Sequence, residues 1–144
     1  MDILDEVKKE FVKDLMAKGR RPDERAFDEY RQVSVEKNAI PAAEGSARAH
    51  IGQTQVLVGV KMGVGTPFAD RPEEGVLSTN AELLPLASPS FESGPPDANS
   101  IELARVVDRG IRSAGTIDLK SLFIEPGKVW MTYVDVYVLD HDGN

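Results

Sequence analysis

Trp130-Met131-Thr132-Tyr133-Val134-Asp135-Val136-Tyr137-Val138-Leu139 is the stretch on which the fold turns. Its density of β-branched and aromatic residues predicts a strand. A strand this apolar belongs in the middle of a sheet or against a partner, because an open edge of that kind invites pairing with other chains. Asp140 to Asn144 reads as the turn that ends it, and upstream the run reaches back to Phe123, broken at Pro126-Gly127. Asp135 stands out within it. A buried carboxylate is costly unless paired or hydrogen-bonded, so a structural partner (a backbone N–H or an arginine) is expected for it, with a subunit interface as the other reading.

Outward from this strand the periods alternate between helix and sheet. Asn99 to Arg112 carries Leu103, Val106, Val107 and Ile111 at helical spacing, with Asn99 and Glu102 as a candidate capping pair and Gly115 beyond its end. Val56, Val58, Val60, Met62 and Val64 alternate with Leu57, Gly59, Lys61 and Gly63. This is the second arm of a predicted hairpin, Ser46–Ile51 and Thr54–Val64, turning at Gly52-Gln53. Val33 and Val35 make a short strand and Val76 to Leu84 another, while 66–75 and the four-proline stretch 85–97 are loops. Residues 2–18 read as an amphipathic helix capped by Asp2 and stopped at Gly19, followed by a charged loop in which Pro22 blocks helix continuation. The order predicts an α+β layout with helices on one sheet face, divided into an N-terminal helix (1–19) and a domain over 20–144.

The 144 residues, 41% hydrophobic and 28% charged, suit one globular domain. No apolar run approaches the roughly 20 residues of a membrane span, and the start lacks a secretory pattern, so a cytoplasmic protein without a membrane partner is expected. The absence of cysteine removes disulfides, thiol nucleophiles and zinc–thiolate sites. His50 and His141 have no metal-ligand spacing, and neither metal nor cofactor is expected. A net charge of −7 argues against nucleic acid only as a mean, since binding depends on the local field.

That local field is the interest of the second helix. Arg105, Arg109 and Arg112 stand at i, i+4 and i+7 and share a face. A solvated face with ion pairs is the ordinary explanation, and for Arg112 the better one, because Asp108 lies at i−4. Arg109 instead has Arg105 and Arg112 as neighbours, and only Glu102 and Asp108 offset Arg105. Elsewhere, Arg21, Asp23 and Arg25 suit a loop-fixing ion-pair set better than a ligand site. Arg48 is expected to be exposed, His50 to be a satisfied strand histidine, and Trp130, Tyr133 and Tyr137 to be core or interface rather than a stacking platform for bases.

Five segments in order carry a family resemblance. Arg21-Pro22-Asp23-Glu24-Arg25 resembles the R-x-D-G-R opening of RNase PH-family domains, with Glu24 in place of glycine. Gly45-Ser46-Ala47-Arg48 through Gly52-Gln53-Thr54-Gln55-Val56 resembles the family's hairpin, and Glu82-Leu83-Leu84-Pro85-Leu86-Ala87-Ser88 the strand before its central loop. Ile101 to Arg109 and Val134 to Asp140 resemble the non-catalytic ring subunit of the archaeal exosome in particular.

The resemblance implies an RNase PH, or ribosomal protein S5 domain 2-like, fold truncated after roughly its first half. Family members continue past the D-G-N turn with a helix and more strands, which hold the catalytic acids. No catalytic residue is therefore assigned. It further implies a hexameric ring with a catalytic RNase PH-like partner, binding single-stranded RNA for 3′-5′ phosphorolysis. Arg105 and Arg109 fall where the matching helix holds RNA, and Arg112 extends the stripe. Catalytic members are rich in arginine after the matching proline, whereas residues 88–97 here carry two acids and no base. A phosphorolytic exoribonuclease in its own right and an unrelated S5-like module remain as alternatives. The first is opposed by that arginine-free loop, and a kinase-type version of the second by the lack of a glycine-rich phosphate loop.

Overall fold

The computed structural model describes residues 3–142, with the backbone alone for residues 4 and 5. The expected Asp2 cap and the end of the terminal turn lie outside the described residues. The chain forms two compact units, Met1–Gln32 and Val33–Asn144.

In the first unit α1 spans Ile3–Ala17. Gly19 ends it with φ 71°, its N–H donating to the Met16 carbonyl at 3.0 Å while Arg20 N–H donates to Leu15 at 2.9 Å. This left-handed cap satisfies carbonyls that a helix end leaves open. The charged loop is tied into the same unit. Arg21 Nη2 donates to the Phe27 carbonyl at 2.7 Å, Arg25 Nη1 to that of Glu29 at 2.9 Å, and Arg25 Nε to Asp23 at 2.5 Å. The Arg25 hydrogen bond holds the Asp23 carboxyl below its ordinary value. These residues fix a loop, as their spacing suggests. Glu24 sits at φ 64°, a left-handed conformation that explains why glycine suits this position.

The second unit is one mixed sheet with a helix on it. Its elements are β1 (Val33–Lys37), β2 (Gly45–Ile51), β3 (Thr54–Gly65), β4 (Val76–Leu83), α2 (Ala98–Ala114), β5 (Phe123–Glu125) and β6 (Lys128–Asp140). The sheet order is β1-β2-β3-β6-β4 with β5 on β6, and only β4 runs parallel to β6. β6 is therefore interior, hydrogen-bonded by β3 and β4, and its apolarity is met within the chain. The β2–β3 hairpin turns at Gly52-Gln53 with Gly52 at φ 60°, the positive φ that tight two-residue hairpins require. Asp142 pins that turn, accepting from Gln53 N–H at 3.1 Å and Thr54 Oγ1 at 2.8 Å.

Register decides which side chains meet α2. Val58 faces Val136, Val60 faces Val134, and Ala81 on β4 faces Val136. These residues join Leu77, Ala104, Leu103, Val107 and Ile111 in the core between sheet and helix. The helix begins at Asp97 rather than at Asn99. Asp97 is extended (φ −79°, ψ 177°), and its side chain accepts from Ser100 N–H at 2.8 Å. Asn99 is already helical, so it cannot cap, and its amide donates to Asp97 at 3.3 Å instead. A short 3₁₀ turn over Leu119–Leu122, absent from the sequence reading, leads into β5.

Alternation puts the odd residues of the second half of β6 on the face away from α2. Asp135 is half-buried there, opposite Gly59 and Asn80 in register. The structural partner expected for it is missing, since no hydrogen bond or ion pair to its carboxylate forms among the described residues. Burial pushes the neighbouring Tyr137 phenol up, aided by Glu82 and Asp135. Trp130 and Tyr133 are 41% and 39% exposed, so neither is core. Arg48 is not exposed as expected. It lies half-buried between Glu36 and Leu57 in register, with a buried Nε that has no partner.

Candidate nucleic-acid interface

β4 is the last strand of the sheet, and α2 runs beside it. Residues 101, 104, 105, 108 and 109 recur at spacings of three and four, which turns one stripe of α2 toward that strand. Between them lies a cleft of about 450 Å³ lined by Thr79, Asn80, Pro96, Ile101, Ala104, Arg105, Asp108 and Arg109.

The three arginines of the stripe have different surroundings. Arg112 Nε donates to Asp108 at 2.7 Å and its Nη2 reaches the Leu77 carbonyl at 3.1 Å. The guanidinium thus ties the last turn of α2 to the start of β4, at the helix end where a cation also meets the negative pole of the helix dipole. Arg105 and Arg109 are exposed and make no hydrogen bond or ion pair among the described residues. Glu102 and Asp108, which the sequence offers as partners for Arg105, do not pair with it. Asp108 is committed to Arg112 and to the Thr79 hydroxyl at 3.2 Å. The stripe therefore resolves into one structural arginine and two unpartnered ones at a cleft.

At the N-terminus of α2 the Asp97 carboxylate already caps the Ser100 N–H and places a negative charge there. The bond from the Ser100 N–H holds the Asp97 carboxyl below its ordinary range. Attraction for a phosphate at this helix must come from Arg105 and Arg109.

The loop after β4 builds a second cleft of about 520 Å³, lined by Glu82, Phe91, Glu92 and Asp97 together with serines, prolines and Leu83 and Leu84. It contains three carboxylates and no Lys, Arg or His. Phe91 holds the loop against the end of β6 by stacking on His141, with ring centroids 5.8 Å apart. His50 sits half-buried in β2, paired in register with Ser34 and Gln55, and joins no site. Among the described residues no cluster of His, Asp and Glu is placed to hold a metal ion, and no helix is long and apolar enough to cross a membrane.

Asn80, Pro96 and Ile101 were not visible as site residues in the sequence. They belong to a strand edge, a loop and a helix that meet only in the fold, and no motif joins them.

Comparison with known proteins gives this cleft a context. Residues 29–144 match the RNase PH model described as 3′ exoribonuclease family, domain 1. The exosome complex component Rrp42 of Methanocella arvoryzae is 58% identical over 144 residues, covering 99% of this chain and 55% of that protein. A structure of the Archaeoglobus fulgidus exosome with RNA bound to the active site contains a chain that superposes with TM-score 0.93 at 56% identity, covering 99% of this chain and 57% of that one. A chain of an archaeal exosome core superposes with TM-score 0.85 at 49% identity, covering 99% and 53%. The chain spans about half the length of the relatives it matches. The sheet order, the helix laid on it and these likenesses agree: the chain belongs to the RNase PH family of 3′ exoribonucleases, of which it carries the first-domain fold.

Proposed function

We propose that this chain is the front part of a non-catalytic RNase PH-like subunit of an archaeal exosome ring, in the cytoplasm, which holds single-stranded RNA for a catalytic partner. The observation that carries the reading is the contrast between two clefts. Arg105 and Arg109 stand unpartnered at one, whereas the loop cleft, where catalytic family members are rich in arginine, is lined by Glu82, Glu92 and Asp97. A phosphate entering the first meets two free guanidinium groups. In the second it meets three carboxylates and no cation, and is repelled.

The likeness to Rrp42 chains and to an exosome structure with bound RNA supports the assignment. In this account the two arginines fix the strand by its phosphates, and the phosphorolytic attack of inorganic phosphate belongs to the neighbouring subunit. No residue of this chain is given a role as general acid or metal ligand.

The test is activity with and without a partner. Labelled oligoadenylate, inorganic phosphate and magnesium are incubated with this chain alone, and with a catalytic RNase PH-like subunit as comparison. No nucleoside diphosphate should be released by the chain alone. Release at a rate near that of the catalytic subunit would establish the rival reading, an exoribonuclease in its own right.

A further inference from the structure

Strand alternation gives the sheet a second face, turned away from α2, which the arginine cleft does not use. One row crosses it in register from β1 to β4: Glu36, Arg48, Leu57, Tyr137 and Glu82. The next row carries Ser46, Gly59, Asp135 and Asn80. Two charges on this face are partly withdrawn from water with nothing to answer them among the described residues. Arg48 is half-buried, its Nε is buried, and it makes no hydrogen bond or ion pair. Asp135 is half-buried and equally unpaired. Burial, then the charges of Glu82 and Asp135, push the Tyr137 phenol up, which puts both carboxylates close to it. The face is therefore cationic at Arg48, anionic around Tyr137, and apolar at Leu57 between them.

Withdrawing a charge from water without a partner is costly, and a ligand that answers both charges recovers that cost. RNA fits poorly. Its phosphates would suit Arg48 but would meet Glu36, Glu82 and Asp135 beside it. A protein surface can carry both signs, and arginine and tyrosine around an apolar centre are residue types that dominate protein interfaces. Further chain of the same polypeptide fits less well. This chain spans 55% of its Methanocella relative. The apolar ground that more chain would cover lies on the α2 side, where Val33, Val35, Val64 and Trp130 remain exposed.

We infer that the sheet face opposite α2, centred on Leu57, docks a second protein subunit that brings a carboxylate to Arg48 and a lysine or arginine to Asp135. This deepens the reading of the chain as part of a hetero-oligomeric ring, and it rests on that reading. It also accounts for an acid in β6 that the fold leaves without a structural partner.

The experiment mixes the full-length subunit with a catalytic RNase PH-like subunit and follows association by sedimentation velocity, with the melting temperature of the free subunit as control. The variants are Arg48→Met, which keeps an apolar stem, and Asp135→Asn, which keeps the shape. Each removes a charge that has no partner in the free chain, so neither should lower the melting temperature. Each should weaken association at least about tenfold, which is what the weakest close charge pairs across a protein interface contribute. Unchanged association for either variant, with wild-type subunits still assembling, would overturn the inference and leave the ring reading intact. So would a fall in the melting temperature of the free subunit, which would make the charge a structural one. Normal assembly with weakened RNA binding would give the face to nucleic acid instead. Failure of the wild-type subunits to associate would remove the ring reading itself, and the inference with it.

Discussion

The last turn of α2 and the two turns before it carry the same residue type on the same stripe, and they have opposite fates. Arg112 is enclosed by Asp108 and the Leu77 carbonyl, so its charge is used to join helix and sheet. Arg105 and Arg109, four residues apart and unpartnered, repel each other by a few tenths of a kcal/mol at that spacing. A helix selected for stability alone would place acids there. The difference teaches that a cationic stripe is not a binding site as such. It becomes one where the fold withholds the counter-charge.

Reversing the two free charges should give the largest effect. Arg105→Glu with Arg109→Glu, in a ring reconstituted with full-length subunits, should lower affinity for single-stranded RNA at least tenfold at low salt, by fluorescence anisotropy. The same ring should melt within about 0.5 kcal/mol of wild type, as exposed charge changes usually do. The comparison breaks if stability falls and affinity does not.

Arg112→Gln should behave the other way round. It removes a partly buried ion pair and a hydrogen bond to Leu77, and should cost about 1 kcal/mol in a denaturant titration. RNA affinity should stay within about twofold. A large affinity loss without destabilisation would return Arg112 to the RNA-binding set.

The single substitution Arg105→Glu sharpens the contrast further. It replaces a repulsive i, i+4 pair with an attractive one, Glu N-terminal to Arg. The new acid also stands three residues from Glu102 and from Asp108, so helix stability should stay within about 0.5 kcal/mol of wild type while RNA binding weakens. A functional loss at unchanged stability would mark the arginine pair as kept for its ligand.

The smallest effect is expected from acid titration of the cap. Asp97 has its pKa depressed by the Ser100 bonds, so its contribution to stability is present above the ordinary carboxylate pKa and fades as pH falls through the lower folded value. Asp97→Asn retains an oxygen acceptor for Ser100 and should melt with a weaker acid dependence below pH 4. Identical acid profiles for variant and wild type would show that the cap carries no such linkage.

Much of this architecture was legible from period alone. The alternation of Val56 to Val64 and the density of β6 predict paired strands, and both lie in the sheet interior where that pattern belongs. The pairing of Arg112 was legible too, because Asp108 is four residues away on the same helix. Other features depend on neighbours distant in sequence. Asn99 and Asp97 are both good caps two residues apart, and only the extended backbone at Asp97 chooses between them. Arg48 reads as exposed until β1 and β3 flank it. Asp135 reads as a paired acid until its strand is seen to present it to the open face. The cleft itself draws on residues 79–80, 96 and 101–109, and nothing in the chain marks that they converge.

The most direct test of the account is the salt dependence of RNA binding by the reconstituted ring, with and without Arg105→Glu and Arg109→Glu. Each phosphate contact on a single strand contributes about 0.7 to the slope of log affinity against log salt. Loss of two contacts should therefore flatten the slope by about 1.4, and the gap between the two proteins should narrow as salt rises. An unchanged slope with a normal melting curve would contradict the account and leave these arginines as a solvated helix face.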